Sequence, residues 1–148
     1  MPNRLKLLVA EDSDLDILLL ERALQQSGVN INAKFVSDGQ EAVDYLEGVG
    51  EFNDRLAYPL PAVIMLDLKM PRFDGFDVLA WLKSQPEHRR TPVIIFSSSD
   101  DRRDVDRAYD LGANCYLMKP GPAGEMHELL RVLDAFWRRY VKLPDGRN

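Results

Sequence analysis

Four short apolar runs in this chain each stop at a residue that can do chemistry: LKLLVA at Glu11 and Asp12, AVIML at Asp67, VIIF at Ser97, and NCYLM at Lys119. Runs of this length, rich in Leu, Ile and Val and bounded by turn or helix signals, are the pattern of strands buried on both faces of a parallel sheet. Open α/β sheets gather their ligands outside the carboxyl ends of such strands. The pattern therefore predicts that acids, a nucleophilic carboxylate, a hydroxyl and an ammonium group meet at one edge. That set suits the handling of a phosphoryl group with a divalent cation.

Between these runs the hydrophobic period turns helical. After the first strand, Ser13 or Asp14 can cap a helix through Ile17, Leu20 and Leu24 to a stop at Gly28. INAKFV reads as the second strand, Asp38 and Gly39 lead into a short helix, and residues 48–61 read as a long loop. Met70, Pro71, Asp74 and Gly75 form a loop before a helix that Pro86 ends, and the SSSDD run caps a fourth helix carrying Val105, Ala108, Tyr109 and Gly112 on one face. From Met126 through Leu129, Leu130, Leu133, Phe136, Trp137 and Tyr140 to Val141 the helical spacing persists, and it predicts a last helix packed on the core. Five strand–helix pairs with right-handed crossovers predict an α/β fold: a three-layer, doubly wound, flavodoxin-like sandwich with five parallel strands in the order 2-1-3-4-5. In that order the first and third strands are neighbours, so Glu11 and Asp12 come to lie beside Asp67.

A chain of 148 residues suits one domain spanning 1–148, with a core over about 5–141 and a short tail over 142–148. The formal net charge of −5 argues against nonspecific nucleic-acid binding. No apolar stretch approaches the ~20 residues a membrane helix needs, and the N-terminal segment turns acidic too early for a signal peptide, so a cytoplasmic location is expected. Cys115 is the single cysteine, which excludes an internal disulfide, and its apolar setting predicts a buried, unreactive thiol. His88 and His127 lie far apart in the chain and do not suggest a zinc site.

The acidic pair Glu11-Asp12, Asp67 followed by Met70-Pro71 and Asp74-Gly75, Ser97 at the end of the fourth strand, and Lys119-Pro120 after the fifth resemble a response-regulator receiver domain of the CheY family. The likeness covers about residues 5–141. Within that family the long loop before the third strand, the NCYLMK run and the FWRRYVKLP ending are most similar to single-domain regulators paired with phytochromes. The resemblance implies a stand-alone phosphoacceptor of a two-component phosphorelay rather than an enzyme, one that would assist its own phosphorylation and dephosphorylation. It implies a sensor histidine kinase, such as a bacterial phytochrome, as phosphodonor, and signalling by contact with a downstream protein. It also implies a switch in which Ser97 moves to the phosphate while Tyr116 turns inward, and a cis Lys119–Pro120 bond.

The chemistry of the residues runs the same way. Asp67 is the nucleophile expected to form an aspartyl phosphate. Mg²⁺ prefers octahedral oxygen coordination and keeps several waters, so Asp12, Asp67 and a loop carbonyl, that of Lys69, would suffice, with Glu11 direct or through water. Lys119 is expected to pair with the carboxylates at rest and with a phosphoryl oxygen after transfer, and Ser97 to hydrogen-bond another. Taken singly each residue has a plainer reading: Glu11 and Asp12 favour a helix N-terminus, Asp67 a turn, Ser97 a cap, Lys119 a solvated charge, and Tyr116 an edge aromatic with its hydroxyl in water. Their joint placement at four strand ends favours one pocket. A phosphohydrolase of the haloacid dehalogenase type is the enzyme alternative, but that class carries a second acid two residues after its nucleophile, where this chain has Lys69. Lys69 and Ser99 depart from better-known receivers beside the path of an attacking water, and GPAG over residues 121–124 is expected to loosen the start of the last helix. That helix also motivates a symmetric homodimer through the fourth and fifth helices or the C-terminal extension.

Overall fold

The computed structural model describes residues 4–121 and 123–144. The expectation for Pro122 within GPAG, and that for the tail over 145–148, lie outside the described residues. Strand β1 (Leu5–Ala10) is followed by α1 (Asp14–Gln26), β2 (Ile31–Val36), α2 (Gly39–Glu47), β3 (Val63–Leu66), α3 (Gly75–Ser84), β4 (Val93–Ser97), α4 (Arg102–Asp110), β5 (Cys115–Met118) and α5 (Ala123–Asp134). The sheet order is β2-β1-β3-β4-β5 with every pairing parallel, as the sequence predicts.

Successive side chains of a strand point to opposite faces, and here both faces are covered. Leu8, Ala10, Ile64, Leu66, Val93 and Ile95 pack with Ala42, Leu46, Leu79 and Leu82 under α2 and α3. Leu7, Val9, Val63, Met65, Ile94 and Phe96 pack with Leu20, Ala23, Leu130 and Leu133 under α1 and α5. Complete burial of each large side chain contributes roughly 1.5–3 kcal/mol. Two cores on one sheet make the strand ends a rigid edge on which a site can be held.

Local signals set the helix starts. Ser13 Oγ accepts from Asp16 N–H, Asp38 from Glu41 N–H, and Asp101 from Arg103 N–H. Asp74 and Asp77 form a reciprocal capping box. Arg72, between Pro71 and this cap, takes φ 64°, the left-handed turn conformation.

The structure adds detail to two expectations and corrects a third. The loop before β3 holds a 3₁₀ turn over Gly50–Phe52, and its Phe52 and Tyr58 rings lie 5.2 Å apart, both against Tyr45 of α2. The face expected on α4 is only partly buried: Ala108 is inside, but Tyr109 is 47% exposed. The last helix does not keep its α-period. It widens into a π-helical turn over Ala135–Tyr140, closed by Val141 N–H donating to Phe136 O at 3.1 Å. Trp137 stays buried, but Phe136 and Tyr140, expected in the core, are 52% and 77% exposed because the wider turn rotates them off the apolar stripe. Leu143, beyond the turn, is buried with Trp137.

Candidate functional site

Three residues of the pocket are fixed by the sheet itself. Glu11 N–H donates to Val36 O at 3.0 Å, Asp67 N–H to Ala10 O at 3.0 Å, and Lys119 N–H to Ser97 O at 2.9 Å. Each therefore sits one residue past its own strand, bonded to the last residue of a neighbouring one. Their side chains leave the sheet edge from positions the ladder dictates.

The edge gathers Glu11, Asp12 and Asp67, each offering a carboxylate oxygen within 4.8 Å of the others. Glu11 and Asp67 are buried and Asp12 is exposed. Lys119 Nζ lies 2.7 Å from Glu11 Oε1, 2.8 Å from Asp16 Oδ2 and 3.2 Å from Asp67 Oδ2. Ser13 N–H donates to Glu11 Oε2 at 3.1 Å and Lys69 N–H to Asp67 Oδ1 at 3.3 Å. Glu11 Oε1 is buried, and the Lys119 ammonium is the close partner on it, an ion pair at 2.7 Å. Three hard carboxylate oxygens converging from Glu11, Asp12 and Asp67, with a single ammonium among them, fit a divalent cation.

Electrostatics follow from that crowding. Burial pushes Glu11 up to about 7; Lys119 pulls against this, and the nearby Asp67 adds to it. Burial alone would lower the Lys119 ammonium, but its bonds to Asp16 and Glu11 and the charge of Asp67 raise it above the ordinary lysine range.

Ser97 is fully buried at the end of β4 and its Oγ accepts from Ser99 N–H at 3.1 Å. Tyr116 does not hold its hydroxyl in water: it donates to Ser99 O at 2.7 Å, while its own N–H donates to Tyr109 Oη at 3.1 Å. Ser99 Oγ donates to Asp104 Oδ2 at 2.6 Å, and the same oxygen pairs with Lys69 Nζ at 3.4 Å. The loop after Asp67, the start of α4 and Tyr116 are thus joined by polar contacts. No peptide bond is cis among the described residues, which corrects the cis Lys119–Pro120 bond implied by the resemblance. The ammonium reaches the pocket from a trans linkage because three carboxylates draw it there. Cys115 is half-buried rather than enclosed, and burial pushes its thiol up, away from the reactive thiolate.

Asp16 was not among the expected site residues. Its signal lay in the cap: once Ser13 is the N-cap, Asp16 is the third residue of α1, in the turn that faces the strand ends. Read alone, an acid there only complements the helix dipole.

The family profile described as the response regulator receiver domain matches residues 7–131. Response regulator Rcp1 of Synechocystis is 33% identical over 138 residues, covering 93% of this chain and 92% of that protein. Its Mn²⁺-bound crystal structure superposes with a TM-score of 0.81, at 33% identity over 94% of this chain and 98% of that one. RPA3017, a response regulator in red light signalling of R. palustris, gives a TM-score of 0.88 at 38% identity, covering 95% and 98%. The phosphorylated cyanobacterial phytochrome response regulator RcpA gives 0.86 at 35% identity, covering 97% and 100%.

Proposed function

Since the chain belongs to the response-regulator receiver domains of two-component signalling, we propose that it is a phosphoacceptor that takes a phosphoryl group from a sensor histidine kinase onto Asp67. The observation that carries this reading is the meeting of Glu11, Asp12 and Asp67 with Lys119 at the strand ends. One Asp67 carboxylate oxygen attacks phosphorus, the P–N bond of a phosphohistidine donor breaks, and the leaving imidazole nitrogen keeps the electron pair and takes a proton from solvent. Glu11, Asp12, Asp67 and the Lys69 carbonyl are the groups that would hold Mg²⁺, which when bound supplies positive charge against the phosphoryl oxygens. Lys119 supplies the remaining cation, and the Lys69 N–H orients Asp67 through Oδ1. Ser97 and Tyr116 are the reading elements: the Ser97 hydroxyl gains a phosphoryl partner only after transfer, and that differential contact is what shifts an equilibrium.

Phytochrome-class kinases are the proposed donors, because RcpA, a cyanobacterial phytochrome response regulator, and RPA3017, of red light signalling, are similar to this chain over nearly its whole length. A protein partner is further supported by Leu15, Leu18 and Leu19, which are exposed on α1, the helix whose Asp16 pairs with Lys119. Incubation with a small phosphodonor and Mg²⁺ is expected to add one phosphoryl group per chain by intact mass, and none in Asp67→Asn or in excess chelator. Equal labelling of the variant overturns the reading. The exposed Val132, Phe136 and Tyr140 support a symmetric homodimer through the last helix. Light scattering is expected to give a mass that rises toward twice the monomer with concentration; a constant monomer mass with and without phosphoryl mimic removes the dimer.

A further inference from the structure

Lys119 has three N–H donors and three carboxylates around them, one each from Glu11, Asp16 and Asp67. Once Asp67 carries the phosphoryl group its carboxylate charge is gone and a more highly charged group stands in its place, so the phosphoryl oxygens compete with Glu11 and Asp16 for the remaining donors. The Glu11 side chain is 2% exposed, so losing the ammonium would leave it a buried charge with a weaker set of partners. Asp16 is 32% exposed, stands outside the Glu11–Asp12–Asp67 group, and can pass to water with little loss.

We propose that Asp16 is a positioning residue: it holds the Lys119 ammonium at rest and gives it up when Asp67 carries a phosphoryl group. This rests on Asp67 being the phosphoacceptor and adds what keeps Lys119 in check beforehand. Anchored to α1, Lys119 is shared between the helix and the acids instead of being drawn wholly onto Glu11 and Asp67, where it would oppose a cation. The same anchor competes with an arriving phosphoryl oxygen. Asp16 thus favours the cation-loaded, unphosphorylated form, and releasing it couples the chemistry to the first turn of α1.

The test uses beryllofluoride, a tetrahedral stand-in for a phosphoryl group, at saturating Mg²⁺. Asp16→Asn is expected to tighten beryllofluoride binding about two- to fivefold, the range of a partly exposed ion pair. In a Lys119→Gln background the same substitution is expected to change nothing. Equal tightening without Lys119 means that Asp16 acts through space by its charge alone, and it overturns the proposal, as does no tightening in either background. Nitrogen-15 NMR of labelled lysine gives a second readout that needs no Lys119 variant. With Mg²⁺ alone the Lys119 ammonium signal is expected to differ between wild type and Asp16→Asn, and with beryllofluoride added the two are expected to coincide. A difference that persists overturns the exchange. A wild type that binds neither Mg²⁺ nor beryllofluoride overturns the phosphoacceptor reading itself, whereas a wild type that binds both and is indifferent to Asp16→Asn overturns this inference alone.

Discussion

Gly75→Ala is expected to lower stability by about 3 kcal/mol or more and the melting temperature by roughly 10 °C, and to slow phosphoryl labelling of the fraction that folds. Gly75 begins α3, and its N–H donates to Leu68 O at 3.1 Å, closing the loop that returns from the pocket. A Cβ on Gly75 would overlap the carbonyl oxygen of Asp67 and stand 2.8 Å from Leu68 Cα and 2.9 Å from Asp67 C. These are backbone atoms at the end of a fully buried strand, so they cannot turn aside as a flexible side chain would. Either α3 lifts from the sheet or the Asp67 carbonyl moves, and in the second case the carboxylate proposed as the phosphoacceptor moves with it. The conformation at Gly75 is not left-handed, so the effect comes from close approach rather than from backbone strain. Gly121→Ala is the control: a Cβ there meets nothing within 4 Å, and no change in melting temperature is expected. Equal melting temperatures for Gly75→Ala and wild type, by calorimetry, would mean that the loop is free to rearrange.

That glycine was legible in the sequence as part of Asp74-Gly75, though its cause was not. The Asp74 cap could be read because an Asx residue before a helical run has a local mechanism, whereas the nearness of Gly75 to Asp67 is tertiary. The same divide runs through the molecule. All five strands and their order follow from apolar runs and crossover handedness, since both are properties of short segments and chain connectivity. The meeting of Glu11, Asp12 and Asp67 follows once β1 and β3 are neighbours. The contact of Asp16 with Lys119 did not, because an acid in a first helical turn always has the dipole as a sufficient reason. Phe136 and Tyr140 were misplaced because a 3.6-residue period was carried through a segment that winds more widely. The Tyr45, Phe52 and Tyr58 rings meet across a loop whose local sequence encodes no period. The inward hydroxyl of Tyr116 depends on one carbonyl, Ser99 O, that sequence spacing does not locate.

Lys119→Gln is expected to produce the second large effect, a loss of about 3 kcal/mol in metal-free urea unfolding near pH 8. The ammonium faces two buried carboxylates and a third that is partly exposed, and its removal leaves the buried two facing each other unneutralised. The pH dependence separates this from lost packing. Glu11 has a folded pKa of about 7, above its ordinary 4.5, so its contribution to stability is fully present below about pH 4.5 and is lost as pH rises through 7. Lys119 itself lowers that folded value, so without it the loss continues to higher pH. Wild type and variant should therefore fall in parallel between about pH 4.5 and 7; above 7 the wild type levels off while the variant keeps falling. The Lys119 ammonium adds no curvature of its own here, because its raised pKa places its titration above the ordinary lysine range. Saturating Mg²⁺ stabilises whatever binds it, by about 2.7 kcal/mol at a hundredfold excess over the dissociation constant. The variant should gain more from Mg²⁺ than the wild type, since the ammonium no longer competes for Glu11 and Asp67. A deficit constant from pH 5 to 9 and unmoved by Mg²⁺ would make Lys119 a packing residue, and the four-charge balance at the strand ends would have to be abandoned.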